Sequence, residues 1–514
     1  MNTKKITTGD VYIQFDQIVK KIERWIHLKN PTIKFCNRNT TRTRIIQKIV
    51  ELGSDAYTDY VTKNLDKTVM NFNPTVISIG GLRINLNTGE VRSETIASIR
   101  HLALFFCEWS HLLVFQIIGL LHKSQKNSMR STLLMEAGGN YKKSDASIVQ
   151  FCREGPIDPL CSAQRIIIRA QNMPEFPTDT SIVYTKNPFL YLINTQLKWQ
   201  HKVMLLVQHL ASPILLLHAI LNCHINIIIS RDFVYLPIVR WLDKYKLIEA
   251  IIITTSSFKS QSLWMNALVN RNFNLHMIWY SQNFIPKTYI GEKNKSNLPS
   301  ARHINVDIHW VWTQGFKGYL RSLGQKSDIR VVGPIIWCLP NVKQTIDKNK
   351  LKIALFDVTP LPDGAQPFGA LFNYYTPNLM KTFIHDVVDV CKEIEEELGK
   401  EVLIILKHKR EIKIGRHDAG YIKFISQLCL SHKNLHIVDN EVNLFNLLSD
   451  CAVSISVPYT SVAYISAALN QPGIYYDPFG QLVSTHEINE FVYFLSSKND
   501  LKIMLLKILL SVTN

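Results

Sequence analysis

AVSISVPYTSVAYISAALNQPGIYYD, residues Ala452–Asp477, is the stretch whose reading decides the fold. AVSISV reads as a buried strand, Pro-Tyr-Thr-Ser (458–461) as a turn and VAYISAALN as a short amphipathic helix. Gln471-Pro472-Gly473 then breaks the helix before a second buried strand, IYY. That order sets hydroxyls and unpaired backbone N–H groups at a helix N-terminus, on the carboxyl edge of a parallel sheet. Donors point outward there and the helix dipole favours an anion. Ligands of open α/β sheets collect at this edge, so the segment predicts a phosphate or nucleotide site.

The same alternation extends in both directions. HINIIIS (224–230), AIIITT (250–255) and LHMIWYS (275–281) read as strands, with helices over Phe233–Tyr245 and Ser260–Asn270 between them. HWVWT (309–313), GFKGYLRSLG and IRVVGP (329–334) continue as strand, helix, strand. KIALFDVT (352–359), VLIILK (402–407) and LHIVD (435–439) are strands alternating with helices over Asn378–Leu398, Ala419–Leu430 and Asn443–Leu448. Continuous apolar strands separated by helices indicate βαβ units and parallel sheets. Asn283–Arg302, rich in Lys, Asn, Ser, Pro and Gly, reads as a mobile loop or interdomain connection. Val76–Arg92 suggests a hairpin, and Glu487–Thr513 one or two helices.

The expected architecture is therefore α/β, with two Rossmann-like domains facing a cleft. The expected division is an N-terminal mixed α/β extension (1–125), an acceptor-side domain (126–305), a nucleotide-binding domain (306–486) and C-terminal helices (487–514).

The chain has 514 residues, too many for one ordinary core. Its 46% hydrophobic and 19% charged content is that of a folded protein. Nine dispersed cysteines without a CxxC pair fit reduced, mostly buried thiols in a cytosolic protein, and make zinc an unexpected ligand. The net charge of +17 implies an anionic partner. No zinc-finger, RNP or KH pattern directs that charge to nucleic acid, whereas an anionic membrane surface suits it. The first residues lack the apolar core of a signal peptide. His101–Leu121 is long enough to span a bilayer but carries Glu108 among other polar residues, and a mid-bilayer charge costs roughly 2.5–3.5 kcal/mol. It reads as a buried or interfacial helix. Val203–Ile229 is interrupted by polar residues and Pro213, and reads as a helix followed by a strand.

Several groups fall where the sheet edges should be. Lys407, His408 and Lys409 follow the VLIILK strand, and packed cations there suit a phosphate, although a solvated basic turn is the commoner role. Ser456, Pro458, Tyr459, Thr460 and Ser461 form the turn already described; one hydroxyl can cap the helix while another meets a ligand. Asp357 and Asp477 end strands on the same edge. Ser256, Ser257, Tyr280, Ser281 and Asn283 end strands of the first half and suit a sugar acceptor. For a general base, Glu136 beside Gly138-Gly139 is the first choice and Asp145 the second, with His408 a further proton-handling group. No GxGxxG, GxxxxGK[ST], HExxH or GxSxG occurs in a supporting context.

HMIWYSQNFIP, DIHWVWTQGFKGYLRSLG with VVGPIIW, and VPYTSVAYISAALNQPGIYYDP resemble bacterial surface-polysaccharide biosynthesis proteins of the GT-B type. In the last motif Ser456, Pro458, Tyr459, Thr460, Ser461, Ile465, Pro472, Ile474, Tyr475, Tyr476, Asp477 and Pro478 match that family's pattern. The chain is more distantly similar to transferases using CMP-activated sialic acid-like or Kdo sugars. Their Ser/Thr pair matches Thr460-Ser461, while their His-Pro motif meets His408 without the proline. The resemblance implies a glycosyltransferase moving a sugar from a nucleotide-activated donor, a CMP-sugar by the likeness to those transferases, to a polysaccharide or lipopolysaccharide acceptor. A CDP-alditol polyol-phosphate transferase and a non-catalytic assembly component are the alternatives. Expected partners are the nucleotide-sugar, a glycan or glycolipid acceptor and an anionic membrane surface, without nucleic acid. No cofactor or metal is expected. The expected location is cytoplasmic, peripheral at the inner face of the membrane.

Overall fold

The structure, a computed structural model, describes residues 8–29, 31, 36, 40–51, 76–79, 81–122, 129–135, 145–169, 179–254, 261–268, 270–279, 290, 302–335, 351–360, 374–415, 417–440, 442, 444–484 and 491–513. A small antiparallel meander comes first: β1 (Val76–Ile79), β2 (Leu82–Asn85) and β3 (Val91–Ser93). It contains the expected hairpin.

The first large sheet holds β4 (Ser131–Leu134), β5 (Ile166–Arg169), β6 (Ile182–Thr185), β7 (Ile248–Thr254), β8 (Asn274–Ile278), β9 (Ile308–Val311) and β10 (Asp328–Val331). The second holds β11 (Leu351–Phe356), β12 (Val402–Lys407), β13 (Leu435–Val438), β14 (Val453–Ser456), β15 (Gly473–Tyr476) and β16 (Val492–Leu495). All pairings in both are parallel. The second sheet runs β13-β12-β11-β14-β15-β16, and the first runs β10-β9-β8-β7-β4-β5-β6. Numbered within each sheet, both follow the doubly wound order 3-2-1-4-5-6, the first with one extra strand. The two-Rossmann α/β architecture is present.

Successive strand residues go to opposite faces. Leu133, Ile167, Ile251, Met277 and Val311 enter one core cluster, while their neighbours Leu134, Ile168, Ile252, Ile278 and Trp310 enter another. In the second sheet Ile353, Leu355, Ile455 and Ile474 pack on one side. Ala354, Phe356 and Tyr475 join the same cluster as Leu134 and Trp310, so one apolar layer draws on both sheets. Burial on both faces explains why these strands read as unbroken apolar runs.

Helix Pro377–Leu398 covers the second sheet. Thr376 Oγ1 accepts from the Leu379 N–H at 3.1 Å, Pro377 occupies the first turn, and Gly399 at φ +60° ends it.

Three expectations are corrected. HINIIIS is not a strand: His224–Ile229 forms a buried 3₁₀ helix, tied back by the Asn226 side-chain N–H to the Ala219 carbonyl at 2.8 Å. A short apolar run is ambiguous by pattern, and that side-chain bond favours the turn. The division at 305/306 falls inside a sheet, because β9 and β10 add to the first sheet beside β8. The segment 487–514 is not purely helical. Val492–Leu495 closes the second sheet beside β15 before helix Lys498–Thr513.

Two reciprocal pairs stitch β8 to β9. Trp310 Nε1 donates to His276 Nδ1 at 3.2 Å, and Trp279 Nε1 donates to His309 Nδ1 at 3.1 Å. Burial pushes both imidazoles down to about 4. The unfolded chain takes up these protons near pH 6.5 while the folded chain refuses them until about 4. Stability is therefore present above pH 6.5 and lost as pH falls from 6.5 towards 4. Each pKa unit is worth about 1.4 kcal/mol, so the two together contribute on the order of several kcal/mol. Urea denaturation at pH 7 and pH 4.5 should show this loss. His309→Gln keeps an acceptor for the Trp279 N–H but cannot titrate, and should remove about half of the dependence, leaving the part carried by His276.

Candidate functional site

β11 and β14 are adjacent central strands whose connections leave in opposite directions, which opens a crevice beyond their carboxyl ends. Lys407, Phe356, Ser456 and Tyr475 lie in one row across β12, β11, β14 and β15. The next residues, His408 and Asp357, leave the sheet together.

Asp357 is buried and heavily bonded. Its Oδ2 meets His408 Nδ1 at 2.7 Å and accepts the Tyr421 hydroxyl, while its Oδ1 accepts the Lys409 backbone N–H at 3.0 Å and the Thr359 hydroxyl at 3.5 Å. These donors satisfy both carboxylate oxygens. The carboxylate in turn holds the proton of His408 on Nδ1 and leaves Nε2 for a ligand. His408 is itself buried, and Nε2 has no hydrogen-bond partner. A buried polar atom without a partner calls for an explanation, and an incoming phosphate or hydroxyl supplies one. Burial and the nearby Asp357 charge push the Tyr421 hydroxyl well above its ordinary value, so it remains a proton donor to the carboxylate.

The Pro458–Ser461 turn is rigid. Tyr459 is left-handed at φ +68°, rare for a residue with a side chain, and its buried ring and a 3.0 Å bond from its hydroxyl to the Val483 carbonyl hold it there. The Tyr375 hydroxyl donates to the Pro458 carbonyl at 2.9 Å, and Tyr475 donates to the Thr460 carbonyl. The Thr460 hydroxyl is used internally, donating to the Val457 carbonyl at 3.1 Å. Ser461 precedes helix Val462–Ala468 without a side-chain cap bond, and the buried Ser456 hydroxyl has no partner.

Other expected ligands are tied down. Asp477 accepts the Tyr374 hydroxyl and the Leu482 N–H, each at 2.8 Å, and the Phe479 N–H at 3.3 Å, so its carboxylate anchors its own loop. Lys407 donates to the Asn440 carbonyl, whereas the Lys409 side chain is exposed. The structure thus brings Asp357, His408 and Lys409 together. It adds Tyr421, which sequence reasoning missed because a tyrosine in the first turn of a helix carries no signal of its own. Asp418 caps that helix through the Tyr421 N–H at 2.7 Å and so sets the ring's position.

Glu136, Ser256, Ser257, Tyr280, Ser281 and Asn283 lie outside the described residues, as does the side chain of Asp145, which opens helix Asp145–Glu154. At the carboxyl edge of the first sheet the structure has instead a cavity of about 690 Å³. Met135 after β4, Arg169 ending β5, Lys186 after β6 and Trp264 line it. Six lysines and arginines face four carboxylates there. Arg44 pairs with Asp232 at 2.7 Å, Arg231 with Glu108 at 2.6 Å and Lys48 with Glu51 at 3.0 Å. Arg100, Arg169 and Lys186 have no carboxylate partner among the described residues. Among those residues no group of three or more His, Cys, Asp or Glu side chains is placed to hold a metal ion.

Two doubly wound units with polar groups gathered at the strand ends define an α/β protein of two Rossmann-like domains. The family model of the polysaccharide biosynthesis PFTS motif proteins matches residues 215–505, more than half of the chain, and the chain belongs to that family. The motif reads Pro458-Tyr459-Thr460-Ser461 here, with tyrosine at its second place. No curated protein matches the chain. Solved structures of similar shape include the wall teichoic acid polymerase TagF soaked with CDPG, at 10% identity and TM-score 0.39, covering 82% of this chain and 91% of that one. The lipopolysaccharide outer core galactosyltransferase WaaB has 10% identity and TM-score 0.39, covering 75% and 92%. TarM has 14% identity and TM-score 0.33, covering 54% and 51%.

Tyr459→Phe keeps the ring and loses the hydroxyl that bonds the Val483 carbonyl, and should cost about 1 kcal/mol in urea denaturation. Tyr459→Ala empties a buried site and should cost about 3–5 kcal/mol.

Proposed function

We propose that the chain is a glycosyltransferase of surface polysaccharide assembly, moving a sugar from a nucleotide-activated donor to a glycan acceptor. The observation that carries this reading is the buried Asp357–His408 pair at the switch point of the second sheet, with Nε2 unsatisfied. The nucleotide phosphate of the donor lies against His408, Lys409 and the Ser456–Ser461 turn. The bond between the anomeric carbon and the phosphate oxygen breaks, and a bond to the acceptor oxygen forms. The acceptor proton passes to a base, for which Glu136 and Asp145 remain the assigned candidates. Charge that develops on the leaving phosphate is met by the Lys409 ammonium and by His408, which keeps its Nδ1 proton on Asp357 and takes a second proton on Nε2 as the phosphate binds, so the reading assigns no step to a metal. A CMP-sugar is the donor suggested by the motif resemblance. The net charge of +17 favours work at an anionic membrane surface on its cytoplasmic side.

Purified protein is to be screened for hydrolysis and transfer with CMP-, UDP- and GDP-sugars and with CDP-alditols. Turnover with a CMP-sugar is expected; turnover with only a CDP-alditol would reassign the donor, and none with any donor would sink the reading. His408→Ala and Asp357→Asn should each lower kcat by about 10²–10⁴-fold with the fold intact. Tyr421→Phe, which leaves the other donors to Asp357 in place, should lower it by about tenfold or less.

A further inference from the structure

Two helices are too apolar for the surface they occupy. Thr95–Gly119 and the helix pair spanning Trp199–Asn222 each contain an 18-residue window apolar enough for a membrane, yet only 22% and 28% of those windows is buried. They lie side by side and antiparallel. Trp109 stacks on His209 with centroids 6.0 Å apart, and Trp109 Nε1 donates to the His209 carbonyl at 2.9 Å. At the other end the Lys202 ammonium caps the first helix through the Gly119 carbonyl at 2.9 Å. Phe105, Leu112, Leu205 and Leu216 turn inward to the core. Phe106, Val114, Ile118, Val207, Ile214 and Leu221 are exposed. Because one face of each helix is buried in the protein, the pair lies along a surface and does not cross it.

The charges around this face are one-sided. From His101 to Leu121 the only acid is Glu108, neutralised by Arg231, and from Trp199 to Asn222 there is none. Arg100 and Lys198 are exposed beside the helix starts. A second copy of the chain would bring the same cations together; an anionic bilayer offers acyl chains to the apolar residues and phosphates to the cations. The face is also continuous with the first-sheet cavity, since Ile96, Arg100 and Leu104 of helix Thr95–Gly119 line that cavity with Arg169 and Lys186, which have no carboxylate partner among the described residues.

We infer that this helix pair seats the protein in the headgroup layer of an anionic membrane and that the cavity receives the phosphate group of a membrane lipid bearing the acceptor. The acceptor half of this inference rests on the proposed transfer reaction. The phosphate binds Arg100, Arg169 and Lys186, and its hydrocarbon chain leaves past Ile96 and Leu104 into the bilayer.

The full chain is tested by co-sedimentation with phosphatidylglycerol vesicles and with phosphatidylcholine vesicles. Preferential binding to the anionic vesicles is expected. The exposed-site triple variant Phe106→Ser, Val114→Ser, Val207→Ser should keep its thermal transition and lose at least about tenfold in vesicle affinity. Unchanged sedimentation would overturn the seating. So would a dimer in solution that the triple variant dissolves while vesicles go unbound. For the cavity, calorimetry compares a short isoprenyl phosphate in detergent with inorganic phosphate. The lipid is expected to bind more tightly, and Arg169→Ala with Lys186→Ala to abolish that binding while vesicle sedimentation persists. Equal affinity for inorganic phosphate, or binding unchanged in the variant, would overturn the lipid assignment. Vesicle and lipid-phosphate binding that survive alongside a silent donor screen would refute the transferase reading and leave this one standing.

Discussion

Burying both faces of two parallel sheets is the constraint from which the rest follows. Once alternate residues of every central strand are committed to apolar layers, polar chemistry has only the strand ends. The doubly wound order then separates the connections at one point in each sheet and opens a crevice there. Asp357, His408 and the Pro458–Ser461 turn sit at one crevice, and the cation-lined cavity sits at the other.

At the second-sheet crevice, Asp357 organises its neighbours because a buried carboxylate must be satisfied. It draws in a tyrosine hydroxyl, a backbone N–H and an imidazole from three separate segments. The imidazole bond leaves His408 with one committed nitrogen and one open nitrogen. Asp477, on the same edge, shows the contrasting outcome. Its oxygens are consumed by Tyr374 and by its own loop, so an acid in the same sheet position becomes a structural anchor.

Much of this was legible in the residues. The alternation of apolar runs and helices from Ala250 onward follows from backbone periodicity, and so does the placing of Asp357, His408 and Ser456 at strand ends. What was not legible depended on partners distant in the chain. HINIIIS has a strand's composition, yet Asn226 bonds back to Ala219 and the run winds into a 3₁₀ turn. The loop at 283–302 has a linker's composition, yet β9 and β10 after it return to the first sheet. Arg100, Arg169 and Lys186 lie in unrelated segments, and no spacing could have joined them.

The sequence by itself determined that this is a two-sheet α/β protein with a polar strand–turn–helix edge around Pro458–Ser461, because strand and helix periodicities are local properties. Only the tertiary structure decided which edge groups are free to act. Lys407, Thr460 and Asp477 are bound by carbonyls, hydroxyls or N–H groups of other segments, whereas His408 Nε2 is left open. It also decided that two apolar helices lie exposed beside a basic cavity. Hydrogen-bond satisfaction and burial are properties of neighbours in space, and the order of residues along the chain does not contain them.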